Sequence, residues 1–173
     1  MIARGEGDFD AAPNVRPNAA FLVAHPAHLI AQGFGTGLSP IVPGTVGTLV
    51  AWPIAWLLDS YAGTAAWIAA IVVVTLAGIW AARITTRDLG VDDHGSIVID
   101  EIAAFLLVLF FAGDAPWRQA LGFVLFRFFD IVKPPPIRQV DRGMKNATGV
   151  MADDFLAAGY ALIVLAIVAR IVG

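Results

Sequence analysis

The chain has 173 residues, 58% of them hydrophobic and 14% charged, with no cysteine and a formal net charge of -3; its mean hydropathy is +0.77. That excess of apolar over charged residues departs from the soluble norm and points to one compact domain in a membrane. The missing cysteines exclude disulfides, thiolate metal sites and cysteine nucleophiles, and the balance of charge offers no basic footprint for nucleic acid.

Residues 1–20 mix Arg4, Glu6, Asp8, Asp10 and Arg16 with glycine and proline and hold no apolar run of signal-peptide type. They read as a flexible cytoplasmic tail, which leaves 21–173 as the membrane domain. The next segment, FLVAHPAHLIAQ over 21–32, is mildly amphipathic around Pro26 and predicts a short interfacial helix. His25 and His28 suit an interfacial face or a packing role, since no third metal ligand lies within sequence reach. Residues 33–48, GFGTGLSPIVPGTVGT, are dense in Gly, Pro, Ser and Thr. Two readings stay open there: N–H and hydroxyl groups aimed at an anion, or a turn whose glycines let helices approach closely. No lysine follows the last glycines, so this is not a Walker loop.

The apolar stretch 49–58 is short for a crossing unless part of 39–46 or a tilt completes it. Residues 62–82 form the cleanest span, free of charge. A polar loop with Arg83, Arg87, Asp88, Asp92, Asp93 and His94 then leads into 96–112, SIVIDEIAAFLLVLFFA, where Asp100 and Glu101 interrupt an oily run. A charge near the middle of a membrane helix costs about 2.5–3.5 kcal/mol on insertion scales, so adjacent acids there require a partner or a function. Beyond a turn at 113–116, Trp117 suits an interfacial anchor, and 118–132 predicts a fourth span closed by Lys133 and three prolines. Arg138, Asp141, Arg142 and Lys145 fall in the next polar loop, and the last span starts near Val150 with Asp153 and Asp154. Lysine and arginine concentrate in the tail and in 83–95 and 133–149, which the positive-inside rule assigns to the cytoplasm. The expected fold is therefore all-α, a compact polytopic bundle of about five membrane helices plus the N-terminal interfacial helix.

Such a topology brings the unusual polar residues to one depth. Asp100 and Glu101 fall one turn into a descending helix, Asp130 in the last turn of an ascending one, and Asp153 and Asp154 in the first turn of another descending one. The glycine-rich loop ends at the same face. Carboxylates gathered from three helices raise one another's pKa unless countercharge is supplied, and a divalent cation would supply it. Oxygen-only ligation favours a hard ion, Mg2+ before Mn2+ or Ca2+. Arg127 shares a helix face with Asp130, and Lys133 extends that face toward the interface. Acids for a metal beside cations for an oxyanion suit chemistry on a phosphate. Each feature has a bland reading as well: Arg127 and Asp130 neutralise one another, and Asp153 and Asp154 favour a helix N-terminus. Their joint occurrence at one face favours a functional cluster. His94 stays open between general acid or base, metal ligand and surface residue, while Trp52, Trp56, Trp67, Trp80, Phe126, Phe128 and Phe129 suit lipid-facing or packing positions.

Four segments, GFGTGLSPIVPGTVGTL, DDHGSIVIDE, FRFFDIVKPPPIRQVDR and GVMADDFLAAG, together resemble in order and spacing the phosphatidylglycerophosphatase A family of bacterial membrane lipid phosphatases. The resemblance implies Mg2+-dependent hydrolysis of phosphatidylglycerophosphate to phosphatidylglycerol and phosphate, by a multi-pass protein of the inner membrane whose site faces the cytoplasm. The family's acidic positions match Asp100, Glu101, Asp130, Asp141, Asp153 and Asp154, its basic ones Arg127, Lys133 and Arg138, and its loop Gly35, Ser39, Pro40, Gly44, Thr45 and Thr48. On this basis Asp100, Glu101, Asp153 and Asp154 would hold the metal with Asp130 close by, and Arg127, Lys133 and Arg138 with the loop hydroxyls would bind phosphate. Asn146 and Ala147 replace a frequent Gly-Gly pair, and Ala104 a frequent Gly, without removing a carboxylate. The alternative is a small ion or proton transporter using the same acids; against it, no internal repeat is visible and the acids share one face instead of lining a path.

Overall fold

The computed structural model describes residues 17–61, 63–91, 94–144 and 146–172. Most of the expected tail, together with Asp92, Asp93 and Lys145, lies outside the described residues, and among those described all regular structure is helical. Two short helices come first, α1 (Ala19–Ala24) and α2 (Pro26–Ala31). Pro26 has no N–H with which to continue α1 and instead starts α2, while His25 Nδ1 accepts the Ala27 N–H at 3.0 Å. The one interfacial helix expected from the sequence is thus two helices broken at His25. A 3-10 turn over Gly33–Leu38 then leads to α3 (Pro43–Leu49) and α4 (Ala51–Tyr61), which only Val50 separates.

The bundle proper comprises α5 (Thr64–Leu89), α6 (Ile99–Ala112), α7 (Pro116–Val132), the short α8 (Ile137–Gly143) and α9 (Ala147–Val172). Gly90 and Gly113, at φ 69° and 66°, end α5 and α6 in conformations that disfavour a side chain. At 26 residues each, α5 and α9 are about 39 Å long and apolar enough to cross a membrane. The 14 residues of α6 and 17 of α7 reach only about 21 and 26 Å, short of the roughly 30 Å of a hydrocarbon core. The all-α bundle expected from the sequence thus has two helices of full spanning length, with α6, α7 and the α3–α4 pair shorter.

Helix α6 lies in the interior of the bundle. Ile102, Ala103, Ala104, Phe105, Leu106 and Val108 are all buried, as expected of a helix that is apolar all round and enclosed by others. It packs against α3, α4, α5, α7 and α9. Small residues permit this: Ala157, Ala158 and Ala161 of α9 are fully buried, and a Cβ on Gly122 would stand 2.9 Å from Val108. Trp52 and Phe105 close the α4 side with ring centroids 5.0 Å apart, whereas Trp56 and Phe128 stay exposed on the outer surface, as lipid-facing residues would. The result is an interior helix whose first turn carries two acids.

Candidate active site

Asp100 and Glu101 occupy the first turn of α6, where the helix dipole favours negative charge. Asp100 Oδ1 accepts the Glu101 N–H at 3.1 Å. From α9, Asp154 meets them, and one carboxylate oxygen from each of the three lies within 4.8 Å of the others. Asp100 and Asp154 are 6% and 4% exposed, so this concentration of acid is screened from water. Glu101 Oε2 and Asp154 Oδ2 are buried with no hydrogen-bond partner, a costly state for a carboxylate unless something cationic satisfies it. Oxygen-only donors, close together and under-satisfied, fit a hard divalent ion.

On α7, Arg127 Nη1 lies 2.7 Å from Asp130 Oδ2 and 3.5 Å from Glu101 Oε1. Asp130 also faces Asp154. The guanidinium therefore stands beside the acidic trio, held from one side by its own helix. Beside it, the first turn of α3 packs without clearance: a Cβ on Gly44 would collide with Glu101 Oε1 and stand 3.1 Å from Arg127 Nη2. Gly37 makes a comparable approach to the Ser96 carbonyl, and Gly47 would place a Cβ 2.6 Å from that of Val98. Thr48 Oγ1 donates to the Gly44 carbonyl at 2.7 Å, and Ser39 Oγ to that of Ile41 at 2.9 Å, while Thr45 is half-buried beside Gly44. Close approach thus accounts for these glycines, and two of the three hydroxyls brace the loop's own backbone.

A second cluster lies alongside. Lys133 Nζ donates to Asp141 Oδ1 at 2.8 Å and also to Asp153 Oδ2. Burial alone would lower the Lys133 pKa; the two carboxylates outweigh it and hold the ammonium above the ordinary lysine value. Asp153 and Asp154 are consecutive, so on a helix they project about 100° apart. One turns to Lys133, the other to Asp100 and Glu101. Of the four acids expected on the metal, the structure gathers three and sends Asp153 to the lysine. Lys133, expected at the phosphate, is engaged by acids, and exposed Arg138 donates to the Val132 carbonyl at 3.3 Å. Asn146, one of the departures in the sequence, caps α9 by accepting the Thr148 and Gly149 N–H groups at 3.0 Å each.

His94 lies apart from the trio. The Ser96 N–H can only donate, so His94 Nδ1, at 3.2 Å, accepts and the ring proton sits on Nε2. His94, Ser96, Ser39, Pro40 and Pro43 line a cleft of about 360 Å3. Pro43 precedes Gly44, so the cleft opens at the turn of α3 that packs on Glu101. His28, by contrast, is a packing residue: it stacks on Phe21 at 3.9 Å and its Nε2 lies 3.0 Å from Asp88 Oδ2, tying α2 to the end of α5. The sequence reading gave Asp141 no role in holding Lys133 and gave Gly44 no contact. The signals were a carboxylate eight residues beyond a helix-ending lysine and a glycine directly after Pro43.

A model of the family described as phosphatidylglycerophosphatase A matches residues 29–169, nearly all of the bundle and every residue of both clusters. The chain belongs to the phosphatidylglycerophosphatase A family. It is 44% identical over 142 residues to a protein of that name from Haemophilus influenzae, covering 82% of this chain and 87% of the relative. Its identity to the Escherichia coli protein of the same name is 41% over 136 residues, 78% of each chain. A Bacteroides thetaiotaomicron protein provisionally named phosphatidylinositol-3-phosphatase shares 38% over 152 residues, 84% of this chain and 94% of its own. No solved structure matches the chain.

Proposed function

We propose that this family member hydrolyses phosphatidylglycerophosphate to phosphatidylglycerol and inorganic phosphate, with Mg2+ as cofactor, as a multi-pass protein of the bacterial inner membrane. The observation that carries the reading is the convergence of Asp100, Glu101 and Asp154, with buried, unpartnered oxygens on Glu101 and Asp154, beside an arginine. Those three residues would hold Mg2+, which when bound supplies Lewis-acid polarisation of the phosphate and a more acidic water. Arg127, pinned by Asp130 at 2.7 Å, is oriented to bind a phosphate oxygen and to stabilise charge as it develops there. Asp153 and Lys133 fix the first turn of α9, and so the position of Asp154, without taking part in the trio. His94 borders the cleft with Nδ1 held by the Ser96 N–H, which leaves Nε2 as the nitrogen to exchange a proton with a departing glycerol oxygen.

The location of the acids favours hydrolysis over transport, because they gather at one end of the helices and do not continue along a path. Arg83, Arg87, Lys133, Arg138 and Arg142 share that end, which supports a cytoplasmic site, with the acyl chains left in the bilayer. Purified protein in mixed micelles with phosphatidylglycerophosphate is expected to release phosphate with Mg2+ and to stop on chelation. A folded preparation that releases none with the metal present would overturn the reading. Phosphatidylinositol 3-phosphate belongs in the same assay, because one relative's name differs in headgroup alone; faster turnover of that lipid would move the assignment to it.

A further inference from the structure

At the far end of the bundle, Phe111 of α6, Arg118 of α7 and Leu162, Leu165, Ala166 and Ala169 of α9 line an open, mostly apolar groove of about 430 Å3. Along α9, Ala166 stands about 18 Å from Asp154, so the groove is separate from the active site. Arg118 is the anomaly in it. Among the described residues it has no carboxylate partner, and its Nε is buried without an acceptor. Its guanidinium carbon lies 5.3 Å from the Trp117 ring centroid. The nearest acid in sequence, Asp114, lines a different cleft with Trp52, Asp59 and Gln119.

Arg118 also stands in the first turn of α7, a 17-residue helix whose N-terminus has no side-chain cap. A cation there opposes the helix dipole, so two sources of positive charge converge with no carboxylate among the described residues paired to them. An arginine at a membrane interface ordinarily extends its whole head to water; here Nε is instead enclosed at the apolar wall. We propose that this groove binds an anionic glycerophospholipid of the leaflet opposite the active site, its phosphate on Arg118 and an acyl chain along α9. Basic pockets between membrane helices bind lipid headgroups, and Trp117 beside Arg118 is of the aromatic type enriched at membrane interfaces. The wall presents no further polar side chain, so selection is by charge and not by headgroup identity.

Trp117 provides a local readout. The full chain is reconstituted in phosphatidylcholine bilayers containing rising fractions of acyl-brominated phosphatidylglycerol or, separately, acyl-brominated phosphatidylcholine. The Trp117 component is taken as the difference from Trp117→Phe. Quenching by the anionic lipid is expected at a mole fraction about fivefold lower than by the zwitterionic one. Arg118→Gln is expected to abolish that preference and Arg118→Lys to retain part of it, with unchanged far-UV circular dichroism establishing that each variant folds. Brominated phosphatidic acid should behave like phosphatidylglycerol, and inorganic phosphate should not compete. Equal quenching by the two lipid classes, a preference that survives in folded Arg118→Gln, or displacement by inorganic phosphate would overturn the proposal.

Discussion

Asp153 and Asp154 are neighbours in sequence, both buried, and differ in where their countercharge comes from. Asp153 shares Lys133 with Asp141, so its cluster is neutralised largely by the chain itself. Asp154 joins Asp100 and Glu101, where the nearest cation, Arg127, is already closer to Asp130 than to Glu101. The first cluster is a structural tie. The second is under-satisfied, with buried oxygens of Glu101 and Asp154 that no group on the chain's described residues meets. The difference teaches that equal burial of equal side chains carries opposite consequences once the neighbouring cation is counted.

The sharpest way to break the comparison is to remove one charge from each side. Asp154→Asn is expected to lower phosphate release about a thousandfold, the size of a lost metal contribution of several kcal/mol. The same change relieves repulsion, so in chelator the variant should unfold no earlier than wild type, while the gain in melting temperature on adding Mg2+ disappears. Asp153→Asn should do the reverse: activity falls far less, but stability drops by about 2–3 kcal/mol because Lys133 loses a buried partner. Thermal melts with and without Mg2+, set beside activity, separate the two; parallel behaviour of both variants would mean that the clusters are one site.

Gly44→Ala tests the turn of α3 that packs on the under-satisfied cluster. The added Cβ meets Glu101 Oε1 and crowds Arg127 Nη2, so one of them must move. A displacement of this size at a positioned group is expected to cost about a hundredfold in kcat, with little change in melting temperature in the presence of chelator. Full activity in Gly44→Ala would show that Glu101 and Arg127 tolerate other positions.

The self-neutralised cluster has a pH signature of its own. Because the folded-state pKa of Lys133 is raised, its contribution to stability is complete below the ordinary lysine range, about pH 10, and is lost as pH rises through the folded-state value. Lys133→Met should therefore be less stable than wild type near neutrality, and the gap should narrow as pH rises above about 10. A gap that stays constant in denaturant titrations across this range would remove Lys133 from that role.

Much of this is legible in the amino-acid sequence. Acids in an apolar run at 96–112 and a lysine ahead of three prolines mark the site's elements, because the membrane penalises charge strongly enough for each exception to carry meaning. What the chain order does not reveal is azimuth. Whether Asp153 or Asp154 faces Asp100 depends on a rotation of about 100° about α9, set by how Ala157, Ala158 and Ala161 seat against the bundle. The number of full-length spans was hidden for a related reason: α6 is apolar all round because protein encloses it, and hydropathy does not distinguish that from lipid. The pairing of His28 with Asp88 joins residues 60 apart, beyond any local pattern.

Arg138 gives the smallest expected effect and a direct choice between sequence and geometry. The family resemblance assigns it to phosphate binding, and loss of a bound-phosphate contact in the transition state would cost about a hundredfold or more. In the structure Arg138 is exposed at the start of α8 and donates a hydrogen bond to the Val132 carbonyl at 3.3 Å, near the end of α7. A neutral acceptor at that distance and exposure contributes little, about 0.5–1.5 kcal/mol at most. Arg138→Ala is therefore expected to keep activity within about threefold of wild type, with any loss shared between kcat and KM through the α7–α8 junction. A hundredfold loss confined to kcat would mean that α8 closes over the substrate and brings the guanidinium to the phosphate, joining the two clusters during turnover.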